Sequence, residues 1–215
     1  GVKRNHPDYF KIIVMNQILG AGASSRLFMN IREDKGYTYG AYSSFDARRL
    51  CGAFEASAEV RTEVTKESLN EFFYELNRIR DGEVSESELQ DAKDYLAGVF
   101  PLRAETQEGL TNLIVSQKLN DLPADYLQTY RDNVNNVTCD DVKSVAEKFV
   151  TPDKMAIVIV GDAREILAQA EEFSSNIEIY SSEGELQEIS NYRTEPGDDP
   201  ATIDGKWSVT IDFQG

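Results

Sequence analysis

Histidine is almost missing from this 215-residue chain, which has only His6. A hydrolytic zinc site takes two histidines and a carboxylate as ligands and a glutamate as base, so neither H-x-x-E-H nor its inversion can be present. A nucleophilic triad is excluded as well: no G-x-S-x-G elbow occurs, and His6, expected to be a solvated residue near a frayed end, neighbours no structured nucleophile. Cysteine is also scarce. Cys51 and Cys139 are far apart in no metal-ligand spacing, which predicts two buried thiols rather than a disulfide. No apolar stretch reaches the roughly 18 residues of a membrane span, and no charged-then-apolar leader opens the sequence, so a soluble, bacterial-type cytoplasmic or periplasmic protein without membrane insertion is expected. Positive charge is in short supply too. With 22 bases against 38 acids the net charge is −16, which argues against nucleic acid or an anionic bilayer as partner.

Helix-forming and strand-forming segments are both present. Phe10, Ile13, Val14 and Ile18 recur at helical spacing between Pro7 and Leu19, and Gly20-Ala-Gly22 stops that helix. Ser24 or Ser25 can cap a second helix with Leu27, Phe28 and Ile31, ending at Gly36. Residues 37–45 and 51–60 read as strands; in the second, Phe54, Ala56, Ala58 and Val60 alternate with Glu55, Ser57 and Glu59. Asp46 to Leu50 is hairpin length, so the two are expected to be antiparallel neighbours. Helices follow: a stripe from Leu69 to Ile79, a capping box of Ser85 and Glu88 before Leu89, a break or kink at Pro101, a segment to about Asn120, one after Pro123 and one opened by Thr138. Met155 to Val160 reads as a central strand, and Asp162 as the cap of a last helix. From Gly161 to Gly215, 13 acids face 3 bases, a solvated acidic region. These patterns predict an α+β fold, an antiparallel sheet covered by helices in two layers, over 1–180. An acidic linker follows at 181–204. A terminal strand at 205–215, with Trp207, Val209, Ile211 and Phe213 on one side, is expected to begin a β-rich domain.

Polar chemistry concentrates between Leu19 and Ser43, LGAGASSRLFMNIREDKGYTYGAYS. Gly20, Gly22, Ser24 and Ser25 cannot form a phosphate loop, because the Walker lysine and the preceding strand are absent. They end a helix and allow close backbone approach, and they also leave amides free to face a ligand chain. Arg32 stands at the end of the second helix and Tyr39 seven residues on, at the first strand. Guanidinium and phenol both donate hydrogen bonds at neutral pH, which suits holding a peptide carbonyl or an oxyanion. Equally, an arginine can satisfy helix-end carbonyls and a tyrosine can edge a core.

A glycine loop, Ser-Arg-Leu-Phe, Ile-Arg-Glu, Gly and Tyr in this order resembles the family of pitrilysin, insulysin and the mitochondrial processing peptidases, in the half of their repeat that lacks the inverted zinc motif. The resemblance extends more loosely over about 7–180. It implies a clamshell-half domain with no catalytic residue and no metal of its own, whose partner domain or subunit holds zinc. Arg32 and Tyr39 match the pair that contacts peptide substrate across the chamber, and Gly20 to Ser25 matches a loop implicated in substrate handling. Family domains place strands before the first helix, where this chain opens almost on that helix. Those strands are expected either from a domain entered partway or from another segment. The resemblance also admits a structural or assembly subunit, as in respiratory-complex core proteins, and a plain peptide-binding module is a third reading.

Overall fold

The structure is a computed structural model and describes residues 1–193. Helix α1 (Tyr9–Leu19) leads through a loop and a π-helical turn (Phe28–Asp34) into an antiparallel ribbon, β1 (Thr38–Phe45) and β2 (Phe54–Val60). Five helices follow: α2 (Thr65–Asp81), α3 (Glu86–Ala104), α4 (Gln107–Leu119), α5 (Tyr126–Asn135) and α6 (Cys139–Phe149). The ribbon obeys its alternation. Ala41 and Ser43 are buried, Phe45, Phe54, Ala56 and Ala58 pack on the core, and Tyr42, Ser44, Glu55, Ser57 and Glu59 face solvent. Ile12, Met15 and Leu19 of α1, Ile31 of the π-helical turn, Ile79 of α2 and Val142 and Val145 of α6 are enclosed in the same core. The expected α+β architecture, an antiparallel sheet covered by helices, is thus present.

Caps and ion pairs fix the helices that support this core. Ser85 and Glu88 form a capping box on α3, and Thr138 and Asp141 form one on α6. Lys11 pairs with Asp141 at 2.6 Å and Lys148 with Asp8 at 2.9 Å, tying the N-terminal end of α1 to both ends of α6. Each lysine lowers the pKa of its aspartate through a direct hydrogen bond.

Gly1–Ile159 form one compact unit; the described residues from Val160 belong to a second. The second holds α7 (Ala163–Ala170), capped by Asp162, and a two-residue pairing of β3 (Ile179–Tyr180) with β4 (Leu186–Gln187), the latter inside the stretch read as linker. The terminal strand read at 205–215 lies outside the described residues. Among the described residues no helix is long and apolar enough to cross a membrane.

Four sequence expectations need correction. Met155 to Val160 forms no strand: the segment lacks a partner among the described residues, and Val158 is 84 % exposed. Pro101 does not end α3, which runs three residues further, because the carbonyl a proline leaves unpaired costs less than abandoning a helix packed on α5. Cys51 is exposed in the hairpin connection and Cys139 is half-buried; both are free, but neither is a buried thiol. His6 is not frayed: its Nδ1 accepts from the Asp8 N–H at 3.0 Å, and its ring sits edge-on to Phe149 at 5.6 Å.

Candidate functional site

The site begins where α1 ends. Asn16, buried on α1, donates through Nδ2 to the Ser43 carbonyl at 3.0 Å and accepts from Ser43 Oγ at 2.8 Å. The Ser43 N–H donates to the Gly20 carbonyl at 2.9 Å, so the start of the glycine loop lies directly against β1. A side-chain carbon at Gly20 would stand 2.5 Å from Ser43 N, which makes glycine a requirement of close approach here rather than of an unusual φ. Beyond it Ala21, Ala23 and Ser24 are exposed, Gly22 is half-buried, and Ser25 is buried with no hydrogen-bond partner for its hydroxyl.

Arg26 closes the loop. Only 6 % exposed, it donates through Nε to Glu88 Oε1 at 2.8 Å and through Nη2 to Glu88 Oε2 and the Glu83 carbonyl, each at 3.2 Å. Partial burial of Glu88 would raise its pKa, but hydrogen bonds from Arg26 and Ser85 and the guanidinium charge outweigh it and hold the carboxyl at about 2.

The second helix of the sequence reading is π-helical. The Lys35 N–H reaches back to the Asn30 carbonyl at 3.0 Å, the wider spacing of a π-turn. Asn30 secures it on α2 by donating to Glu75 at 2.9 Å and Glu71 at 3.0 Å, while Arg78 and Lys35 neutralise those carboxylates. A cleft of about 720 Å³ lies alongside, lined by Ser24, Arg26, Asn30, Glu71 and Glu75 among others, whose charged groups pair with one another.

Of the residues singled out in the sequence, Arg32 sits on the outer side of this turn. Its guanidinium carbon is 4.8 Å from the Phe28 ring centroid, and it also pairs with the neighbouring Glu33. Phe28 in turn meets Tyr42 of β1 at 5.7 Å, and the Tyr42 ring lies over Gly40, where a side-chain carbon would be only 2.6 Å away. Tyr39 is 96 % exposed at a register irregularity, stabilised by Thr38 Oγ1 donating to the Glu59 carbonyl at 2.6 Å. Arg32 and Tyr39 are therefore carried by adjoining elements, the π-helical turn and β1, with no hydrogen bond or ring contact between them. Sequence reasoning missed Phe28 and Tyr42, the rings that link the turn to β1. Their only signal was an aromatic within Ser-Arg-Leu-Phe and another at an outward strand position.

The residues do not fit a metal: among those described, no group of three His, Cys, Asp or Glu side chains could hold one, and His6 spends its Nδ1 on a backbone N–H. Arrangement and chemistry define a helix-covered α+β domain that presents donors and backbone rather than hydrolytic machinery. Residues 1–96, a little under half of the chain, match the family profile described as the Peptidase M16 inactive domain, in line with the resemblance carried by the pitrilysin-like motif. An uncharacterized zinc protease of Bacillus subtilis, YmxG, is 28 % identical over 162 residues, 71 % of this chain and 37 % of that protein. The crystal structure of a peptidase M16 inactive domain from Pseudomonas fluorescens is 29 % identical with a TM-score of 0.67, over 72 % of this chain and 37 % of that one. The inactive peptidase domain of a zinc protease from Bordetella parapertussis, at 17 % identity, shares the fold with a TM-score of 0.60 over 70 % of this chain and 82 % of that one. The chain spans little more than a third of the length of the curated relatives it matches.

Proposed function

We propose that this chain is the non-catalytic, substrate-binding half of a zinc metalloendopeptidase that degrades or processes peptides. Zinc and the general base belong to a partner domain or subunit, and this half holds the peptide in an extended form by main-chain hydrogen bonds and orients it through Arg32 and Tyr39. One observation carries the reading: Tyr39 is 96 % exposed on the strand whose Ala41 and Ser43 are buried in the core. A tyrosine held in solvent beside a register irregularity keeps both its ring face and its hydroxyl available to a chain outside the domain, which supports the placement as a substrate contact. Arg32 supports it, because its position over Phe28 fixes the guanidinium while leaving donors free of the core.

The test is peptide turnover by the zinc-bearing partner co-expressed with this chain. Arg32→Ala and Tyr39→Phe are each expected to lower kcat/KM by about ten- to a hundredfold, the equivalent of losing one substrate hydrogen bond of roughly 1.4–2.7 kcal/mol. Unchanged cleavage in both would favour the structural or assembly role. Peptide affinity in this chain combined with partner turnover that is the same whether or not the chain is present would favour a plain binding module.

A further inference from the structure

We propose that the glycine loop is a rigid, prebuilt lip pinned at both ends, and that Arg26 and Glu88 are the positioning residues of its far end. The inference rests on the reading that this loop meets substrate, and it specifies how: the peptide fits a fixed edge, and the loop does not close over it as a lid.

At the near end, the N–H groups of Gly20 and Ala21 both donate to the Asn16 carbonyl, at 2.9 and 3.0 Å, while the Gly20 carbonyl accepts from Ser43. Asn16 is held to Ser43 by its own two side-chain bonds. The backbone is thus fixed to α1 and β1 together. In the middle, Ser25 N–H donates to the Gly22 carbonyl at 3.1 Å, so the turn is closed on itself. At the far end the planar guanidinium of Arg26 grips both oxygens of Glu88, a two-point contact that fixes direction as well as distance. Glu88 does not swing freely, because Oε2 also accepts from Ser85 N–H at 3.1 Å and Ser85 Oγ at 2.9 Å at the start of α3. A third contact, to the Glu83 carbonyl, extends the grip to the turn before α3. Five residues lie between the pins, too few to retain many conformers once both ends are set. Three of the five, Ala21, Ala23 and Ser24, are exposed. Small exposed residues on a fixed backbone offer a smooth rail to a passing chain, and preorganisation spares the ordering cost that a flexible loop would incur on binding.

The experiment uses the whole ¹⁵N-labelled 215-residue chain, with a fluorescein-labelled β-casein fragment as an unfolded probe peptide. Backbone order parameters of residues 21–24 are expected near 0.85, matching α1, before and after peptide addition; values below about 0.6 in the free chain overturn the inference. In Arg26→Lys, which keeps the charge and loses the fork, and in Glu88→Gln, the loop values are expected to fall while those of α1 stay unchanged, with about a tenfold weaker peptide affinity by anisotropy. Loop order and affinity unaltered in both folded variants would overturn the role given to Arg26 and Glu88. If one variant does not fold, the other still tests the role of Arg26 and Glu88, and the wild-type order parameters test the rigidity of the loop. A rigid loop on a chain that binds no peptide would refute the substrate-holding reading, and with it the function assigned to the lip.

Discussion

Asn16 and Ser43 exchange two hydrogen bonds across the junction of α1 and β1, both within a buried setting. This one pair sets the distance between the first helix and the ribbon, and the Gly20 contact follows from it. Asn16→Ala leaves the Ser43 carbonyl and hydroxyl without these partners in a buried site, which is expected to cost about 2–3 kcal/mol. Urea denaturation measures it; a loss below about 0.5 kcal/mol would show that the pair is incidental.

Glu88 links stability to acidity. Its folded pKa of about 2 lies below the ordinary 4.5, so the stabilisation is complete above 4.5 and is lost as pH falls from there through 2. Because Glu88 retains about a third of its side-chain exposure, solvent screening reduces the contribution to about 1–2 kcal/mol. The difference in unfolding free energy between wild type and Glu88→Gln is expected to shrink over that window. A difference that stays constant from pH 6 to pH 3 would rule out this linkage.

Glu75, only 1 % exposed, is the buried anchor of the π-helical turn through Asn30 and is paired by Arg78. Glu75→Ala removes one member of a buried polar network and leaves the Asn30 amide short of a partner, so it is expected to cost about 3–5 kcal/mol. Thermal melting gives the size. Tryptic cleavage after Arg32, accelerated in the variant under native conditions, would show the turn loosening; an unchanged cleavage rate would count against Glu75 as its anchor.

Arg32 and Tyr39 should behave in the opposite way. Both project from the core, so Arg32→Ala and Tyr39→Phe are expected to change unfolding free energy by less than about 0.5 kcal/mol. A larger loss in either would mark that residue as structural and weaken its assignment to substrate.

Most of the fold was legible because its signals are local. Alternation in Phe54–Val60 marked the half-buried strand, and Ser85 with Glu88, like Thr138 alone, announced a helix. The reading failed where a partner at long range decides. Met155 to Val160 has a strand's composition, yet composition cannot supply the neighbour that a ladder needs. Ser-Arg-Leu-Phe was visible as a motif, but nothing near it in sequence says that its arginine turns inward to Glu88, 62 residues away, while Arg32 of the next motif stays outside.

By itself the sequence determined that this chain holds no histidine-based zinc site, since one imidazole cannot supply two ligands, and it singled out the loop-to-strand segment from Leu19 to Ser43 for its motif. Only the tertiary structure decided how that segment is divided. Arg26 is desolvated and bound to an acid that offsets the cost of burying it, so it holds the loop in place. Arg32 and Tyr39 remain at the surface, where their donors face outward from the core. Burial separates two arginines with the same chemistry, one enclosed as a structural tie and one left at the surface, and burial is a property of the packed chain as a whole.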